Sequence, residues 1–261
     1  MSEKNSFTSH FIELRSRLIK SILFILVIFI VSYTFAEEIY AFLVEPYANA
    51  VKNDQVSRRL IFTALHETFI TYLKVAFFAA IFFGSPILLI QIYKFIAPAL
   101  YKNEKKALLP YLISTPILFL LGGLLVYYLV MPLAINFFLS FETMGSGSSL
   151  PIQLEAKVNE YLSLIMRLIF AFGISFQLPI LLNLLARVGV VNSNYLKKTR
   201  RYVIVIIFTV AAILTPPDPI TQVGLAIPLL LLYELSIITV RFTEKKSNKN
   251  SKNNKKNIKD A

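Results

Sequence analysis

The chain has 261 residues, 56% of them apolar and 16% charged, with a mean hydropathy of +0.64. Soluble domains run near 45–50% apolar and about 25% charged, so this composition excludes an ordinary soluble domain and indicates a polytopic membrane protein. The net charge is +12, and cysteine and tryptophan are absent. Thiol catalysis, a disulfide framework and Cys-ligated metals are thereby excluded.

The first twenty residues are mixed polar and basic, and no small-residue cleavage site follows the first apolar run. The chain is therefore expected to keep Met1. Within this stretch Phe11, Leu14 and Leu18 recur at helical spacing, which predicts an amphipathic interfacial segment over 1–18. A transmembrane domain over 19–243 follows. Its apolar stretches are Ile19–Phe35, Phe69–Ile90, Leu108–Val130 and Tyr161–Ala186, then the 12-residue Val203–Leu214, then Gln222–Val240. A spanning helix needs roughly 20 residues, and the first four meet it. The last two form either a re-entrant hairpin through Thr215–Pro219 or two short spanning helices that thin the bilayer locally. Short spanning helices are favoured, because both arms are fully apolar. The fold class expected is all-α, with six transmembrane helices, the fifth and sixth short. The tail, 244–261, is rich in Lys, Asn and Ser. It is expected to be disordered, lying near anionic lipid.

Charge sets the orientation. The N-terminal segment, the second and fourth loops and the tail together hold 21 of the 27 basic residues, against four in the other loops. Both termini are therefore expected in the cytoplasm. The excess charge is topological, which removes nucleic acid from the expected partners.

Catalytic chemistry is missing. His10 and His66 fall on opposite sides, no Asp lies within a span, and no nucleophile elbow, zinc-protease motif or phosphate loop is present. Neither an enzyme nor a cofactor is expected. Polar groups in the spans default to functional candidates. Lys74, one turn from the outer interface, reads as a snorkelling lysine. Arg167 sits two turns into its span. Gln177 precedes Pro179, which frees a carbonyl one turn back; its amide has that backbone or a facing helix as partners. Glu234 either pairs with an interfacial cation or stays protonated. On the basic face, Glu13 and Glu104 are rare acids among many cations, and Glu104 lies in a loop carrying Phe95, Pro98 and Tyr101. They form a potential cation site.

These segments resemble the TatC family, the polytopic subunit of the twin-arginine protein translocase. The carriers are His10-Phe-Ile-Glu-Leu-Arg15, Phe95-Ile-Ala-Pro-Ala-Leu-Tyr-Lys-Asn-Glu104, Glu160-Tyr-Leu-Ser163, Phe170-Ala-Phe-Gly-Ile-Ser-Phe176 and Leu214-Thr-Pro-Pro-Asp218. The likeness covers about residues 7–243. It implies a six-span, cup-shaped receptor in the bacterial cytoplasmic membrane, homo-oligomeric within a larger complex. Such a receptor binds the Arg-Arg signal peptides of folded cargo for proton-gradient-driven export. It further implies that Glu13 and Glu104 receive the arginines, that Phe95, Pro98 and Tyr101 shape the site and that Arg15 orients its acids. Pro46 and Asp218 would shape the outer cap and hairpin. TatA-like and TatB-like single-span subunits would meet the end of the fifth span at Ala212 and Ile213. Gln177 departs from the glutamate many members carry there, keeping hydrogen bonding without ionisation. The rival reading is a secondary transporter of a small solute, using Gln177, Arg167 and Glu234; the absence of an internal repeat counts against it.

Overall fold

A computed structural model describes residues 2–52, 59–100, 109–143, 150, 152–187, 189–215 and 219–259, with side chains placed except at 2–11, 13–14, 94–100, 220 and 246–259. The described residues form nine α-helices and no extended strand, so the all-α expectation holds; two isolated bridges, Ile61 with Lys157 and Thr143 with Ile152, supply the β pairing among them. The chain divides into two compact units, Met1–Phe172 and Gly173–Ala261.

In the first unit, residues 2–34 hold neither glycine nor proline. They wind into one helix, α1 (Ser2–Thr34), that runs straight through the expected boundary at residue 18. The amphipathic segment and the first span are one element because nothing between them interrupts propagation, the cheap step of helix growth. A second helix, α2 (Ala36–Val51), carries Glu37 and Glu38 in its first turn, where the positive end of the dipole favours acids. Composition alone left this stretch as a loop. Helix α3 (Glu67–Leu100) is 34 residues long and passes through Pro86 unbroken. The third span is α4 (Leu109–Leu125), a π-helical stretch (Val126–Val130) and α5 (Met131–Leu139).

The fourth span starts as α6 (Val158–Ser175) and restarts as α7 (Leu178–Arg187), ahead of Pro179. In the second unit, α8 (Ser193–Leu214) and α9 (Pro219–Lys259) pack against each other, and α7 packs on α9. The buried centre there is Leu196, Tyr233, Ile237 and Val240, with Leu178, Leu182, Ala186 and Val203 around it.

Five helical stretches among the described residues are long and apolar enough to cross a membrane: Arg15–Thr34, Glu67–Tyr93, Leu109–Leu139, Val158–Arg187 and Thr221–Lys245. Two expectations change. The sixth span is not short, since Thr221–Lys245 is 25 residues and Pro228 lies inside α9 without ending it. The fifth, α8, stays outside that group because its first half carries Lys197, Lys198, Arg200 and Arg201. Helix α9 continues past the last span to Lys259. Lysine is a good helix former, and extending a helix that tertiary packing has already nucleated costs little.

Candidate functional site

The basic end of the first unit is built by α1 and α3, and their pairing can be followed step by step. Phe29 meets Phe77 edge-on at 6.3 Å. One turn and a half closer to the basic end, Ile25 meets Gly84, where an added Cβ would stand only 2.5 Å from Ile25 Cγ1. Glycine leaves room there for the Ile25 side chain to seat against the backbone of α3. Further on, Arg17 Nη1 donates to Gln91 Oε1 at 3.0 Å, and Ser21 Oγ donates to the Arg17 carbonyl at 3.0 Å. The partners descend on one helix as they climb on the other, so the pairing is antiparallel. One more turn in the same register sets Glu13 level with Phe95. Arg15 is exposed on this end of α1.

Helix α1 thus carries position 13 and α3 carries positions 95 and 98, while the side chains of Glu13, Phe95 and Pro98 lie outside those described. Tyr101, Glu104 and Asp218 lie outside the described residues altogether.

Pro46 has a specific structural setting. It sits buried inside α2, and a proline there removes the N–H that would have bonded the carbonyl of Phe42. The Tyr127 hydroxyl, from the π-helical stretch of the third span, takes over: it lies 2.8 Å from that carbonyl oxygen and 3.0 Å from Glu45 Oε2. The Phe42 and Tyr127 rings stack at 4.4 Å. The Tyr161 hydroxyl of α6 donates to the next carbonyl, Leu43, at 3.0 Å, and its ring meets Tyr47 edge-on at 5.6 Å. Two spans therefore bind the broken stretch of α2. Tyr40, also on α2, has its hydroxyl pKa pushed up by burial and by the neighbouring Tyr72. Sequence reasoning found Pro46 but missed Tyr127 and Tyr161; the available signal was a proline inside a helix, which demands a donor from elsewhere.

In the second unit, Gln177 is buried between α6 and α7, and its Nε2 donates to the Gly173 carbonyl one turn back at 3.4 Å. Glu234 pairs with Arg200 at 2.6 Å, which decides between its two sequence readings. Asn192 caps α8, accepting from Tyr195 N at 2.7 Å, and Glu244 supplements the cap: Ser193 N and Oγ donate to its two carboxylate oxygens at 2.8 and 2.6 Å. The Tyr233 hydroxyl donates to the Leu196 carbonyl at 2.8 Å. Ala212 and Ile213 are exposed on α8, continuing an apolar face with Val205, Ile206 and Val210. Of the residues in the transporter reading, Arg167 is exposed in the first unit and Glu234 is already paired.

The family profile described as Sec-independent protein translocase protein (TatC) matches residues 9–228. A Sec-independent protein translocase protein TatC from Magnetococcus marinus is 48% identical over 94% of this chain and 88% of its own length. The protein of the same name from Escherichia coli K12 is 36% identical over 90% of this chain and 87% of its own. Among solved structures, a crystal structure of the twin arginine translocase receptor TatC is similar at a TM-score of 0.76 with 37% identity, covering 90% of this chain and 99% of that one.

Proposed function

The chain belongs to the TatC family of the Sec-independent protein translocase, and from that premise we propose that its basic face receives the Arg-Arg signal peptides of folded cargo. It is a non-enzymatic transport subunit of the inner membrane. The observation that carries the proposal is the α1–α3 pairing through Gly84 and Arg17–Gln91. It brings the turn bearing Glu13 level with the turn that leads through Phe95 toward Glu104. Two acids approached from two helices suit two adjacent arginines. A guanidinium binds a carboxylate through two parallel hydrogen bonds, which a lysine ammonium cannot reproduce. Each such charge-assisted contact contributes about 1.5–3 kcal/mol, and the surrounding lysines repel a misplaced cation. Phe95, Pro98 and Tyr101 frame the site, and Arg15 orients its acids.

Partner recruitment falls to the exposed face of α8 ending at Ala212 and Ile213, which suits a TatA-like or TatB-like single-span helix. Gln177, buried with its amide on the Gly173 carbonyl, holds the break between α6 and α7, and Asp218 shapes the hairpin adjoining that face. Several copies then act in one complex driven by the proton gradient.

The test is peptide binding to the purified, membrane-reconstituted chain. An Arg-Arg peptide is expected to bind at least tenfold more tightly than its Lys-Lys twin, a margin of about 1.4 kcal/mol. The Glu13→Ala/Glu104→Ala double variant is expected to erase that margin. Equal binding by the double variant and the parent overturns the site.

A further inference from the structure

On the sparsely basic side of the first unit a cleft of about 300 Å³ opens between the start of α3 and the start of α6. Its depth in the bilayer follows from the charges on α3. From Val75 to Tyr93 the helix carries none, and Lys74 and Lys94 bound the interval. At about 1.5 Å per residue this is about 28 Å, one hydrocarbon thickness. Lys74 therefore marks the hydrocarbon edge, and the cleft, lined from His66 to Lys74 on this helix, lies at headgroup depth.

Two lysines, Lys74 and Lys157, and two glutamates, Glu67 and Glu160, line the cleft, and they are unequally engaged. Glu67 spends its carboxylate inside the fold: Oε2 accepts from Thr63 N at 2.7 Å, Thr63 Oγ1 at 3.1 Å and Ala64 N at 3.3 Å. Lys74 Nζ donates to the neutral Asn159 Oδ1 at 2.7 Å. Lys157 is 3.8 Å from Glu160, whose side chain is 74% exposed. The cleft thus offers two ammonium groups and, in Glu160, a largely exposed carboxylate that Lys157 holds only at 3.8 Å. Around it Phe62, Leu65 and Phe69 stand exposed, the surface expected of a loop seated among lipid headgroups.

We infer that this cleft binds the phosphoethanolamine headgroup of a phospholipid in the leaflet opposite the basic face. The phosphate lies between Lys74 and Lys157, the ammonium donates to Glu160, and the acyl chains run inward past the exposed Leu73 and Phe77. The inference rests on the span assignment and is independent of signal-peptide binding.

The experiment is native mass spectrometry of the full chain released from vesicles containing equal parts phosphatidylethanolamine, phosphatidylcholine and phosphatidylglycerol. Phosphatidylethanolamine is expected to be retained over phosphatidylcholine, whose quaternary ammonium has no proton for Glu160, and over the anionic lipid. The Lys74→Gln/Lys157→Gln variant is expected to retain about tenfold less of it, as losing a charge-assisted contact implies. Lys52→Gln, exposed elsewhere on the same side, should retain the parental amount. Glu160→Gln keeps both lysines and is expected to abolish the preference over phosphatidylcholine. Equal retention of the three lipids, preference for phosphatidylglycerol, or unchanged retention in the variants overturns the proposal. Displacement of the lipid by millimolar soluble phosphoethanolamine would assign the cleft to a free ligand instead. A photoreactive group at Leu65 is expected to capture lipid; capture of a protein overturns the assignment.

Discussion

Two prolines in the first unit create the same defect and meet different repairs. Pro46 in α2 deprives the Phe42 carbonyl of its donor, and a tyrosine hydroxyl 85 residues away supplies one. Pro86 in α3 deprives the Phe82 carbonyl in the same way, and the adjacent Ser85 hydroxyl donates to it at 3.0 Å. Within a membrane such freed groups must be satisfied by side chains or neighbouring helices. The local repair leaves α3 self-sufficient. The distant one welds α2 to the third span, so that the outer helix cannot move without breaking a part-buried bond.

The sharpest break of this comparison is Tyr127→Phe. It leaves a part-buried carbonyl without its donor, at an expected cost of about 1–3 kcal/mol. Pro46→Ala restores the backbone N–H, so Tyr127→Phe should cost clearly less in that background; a thermal-unfolding double-mutant cycle on the reconstituted chain measures the difference. Additive effects would show that the hydroxyl serves Glu45 rather than the freed carbonyl.

Ser85→Ala is expected to cost less, about 1 kcal/mol, with no change in the protease sensitivity of α2. Cleavage of α2 in that variant would mean the two repairs are linked. Glu244→Ala removes a distant repair at a helix end rather than a helix middle, and about 1 kcal/mol is the usual loss for a cap. Faster amide exchange in the first turn of α8 is its expected signature. The smallest effect belongs to Arg200→Gln, which breaks the Arg200–Glu234 pair while leaving backbone groups alone. Both partners are nearly half exposed, so about 0.2–1 kcal/mol is expected, shrinking as salt rises.

Much of this architecture was legible in the sequence, for reasons the prolines make plain. Span positions follow from apolar length, and orientation from where lysine and arginine accumulate; both signals are contiguous along the chain. The break at Phe176–Gln177 was foreshadowed by Pro179. Helix α2 was not legible, because its apolar content is too low to read as a span and its stability comes from Tyr127 and Tyr161. The capping of α8 by Glu244 was equally hidden, since the partners are 51 residues apart. Glu13 and Glu104 stood out by scarcity alone, and the level at which α1 and α3 meet required the register that Gly84 permits.

The π-helical stretch at Val126–Val130 has a geometric consequence for the whole third span. Its buried positions include Thr115, Phe119, Gly123, Tyr127, Met131 and Ile135, every fourth residue. An unbroken α-helix turns 100° per residue, so a four-residue beat would drift about 40° each step and about 160° from Phe119 to Ile135. A π turn amounts to one inserted residue and returns about 100° of that drift. The span can therefore keep time in fours and still present one wall; a single-residue deletion at 126–130 would leave a plain α-helix with Met131, Ala134 and Ile135 still on that wall, whereas a further insertion would swing them about 100° away.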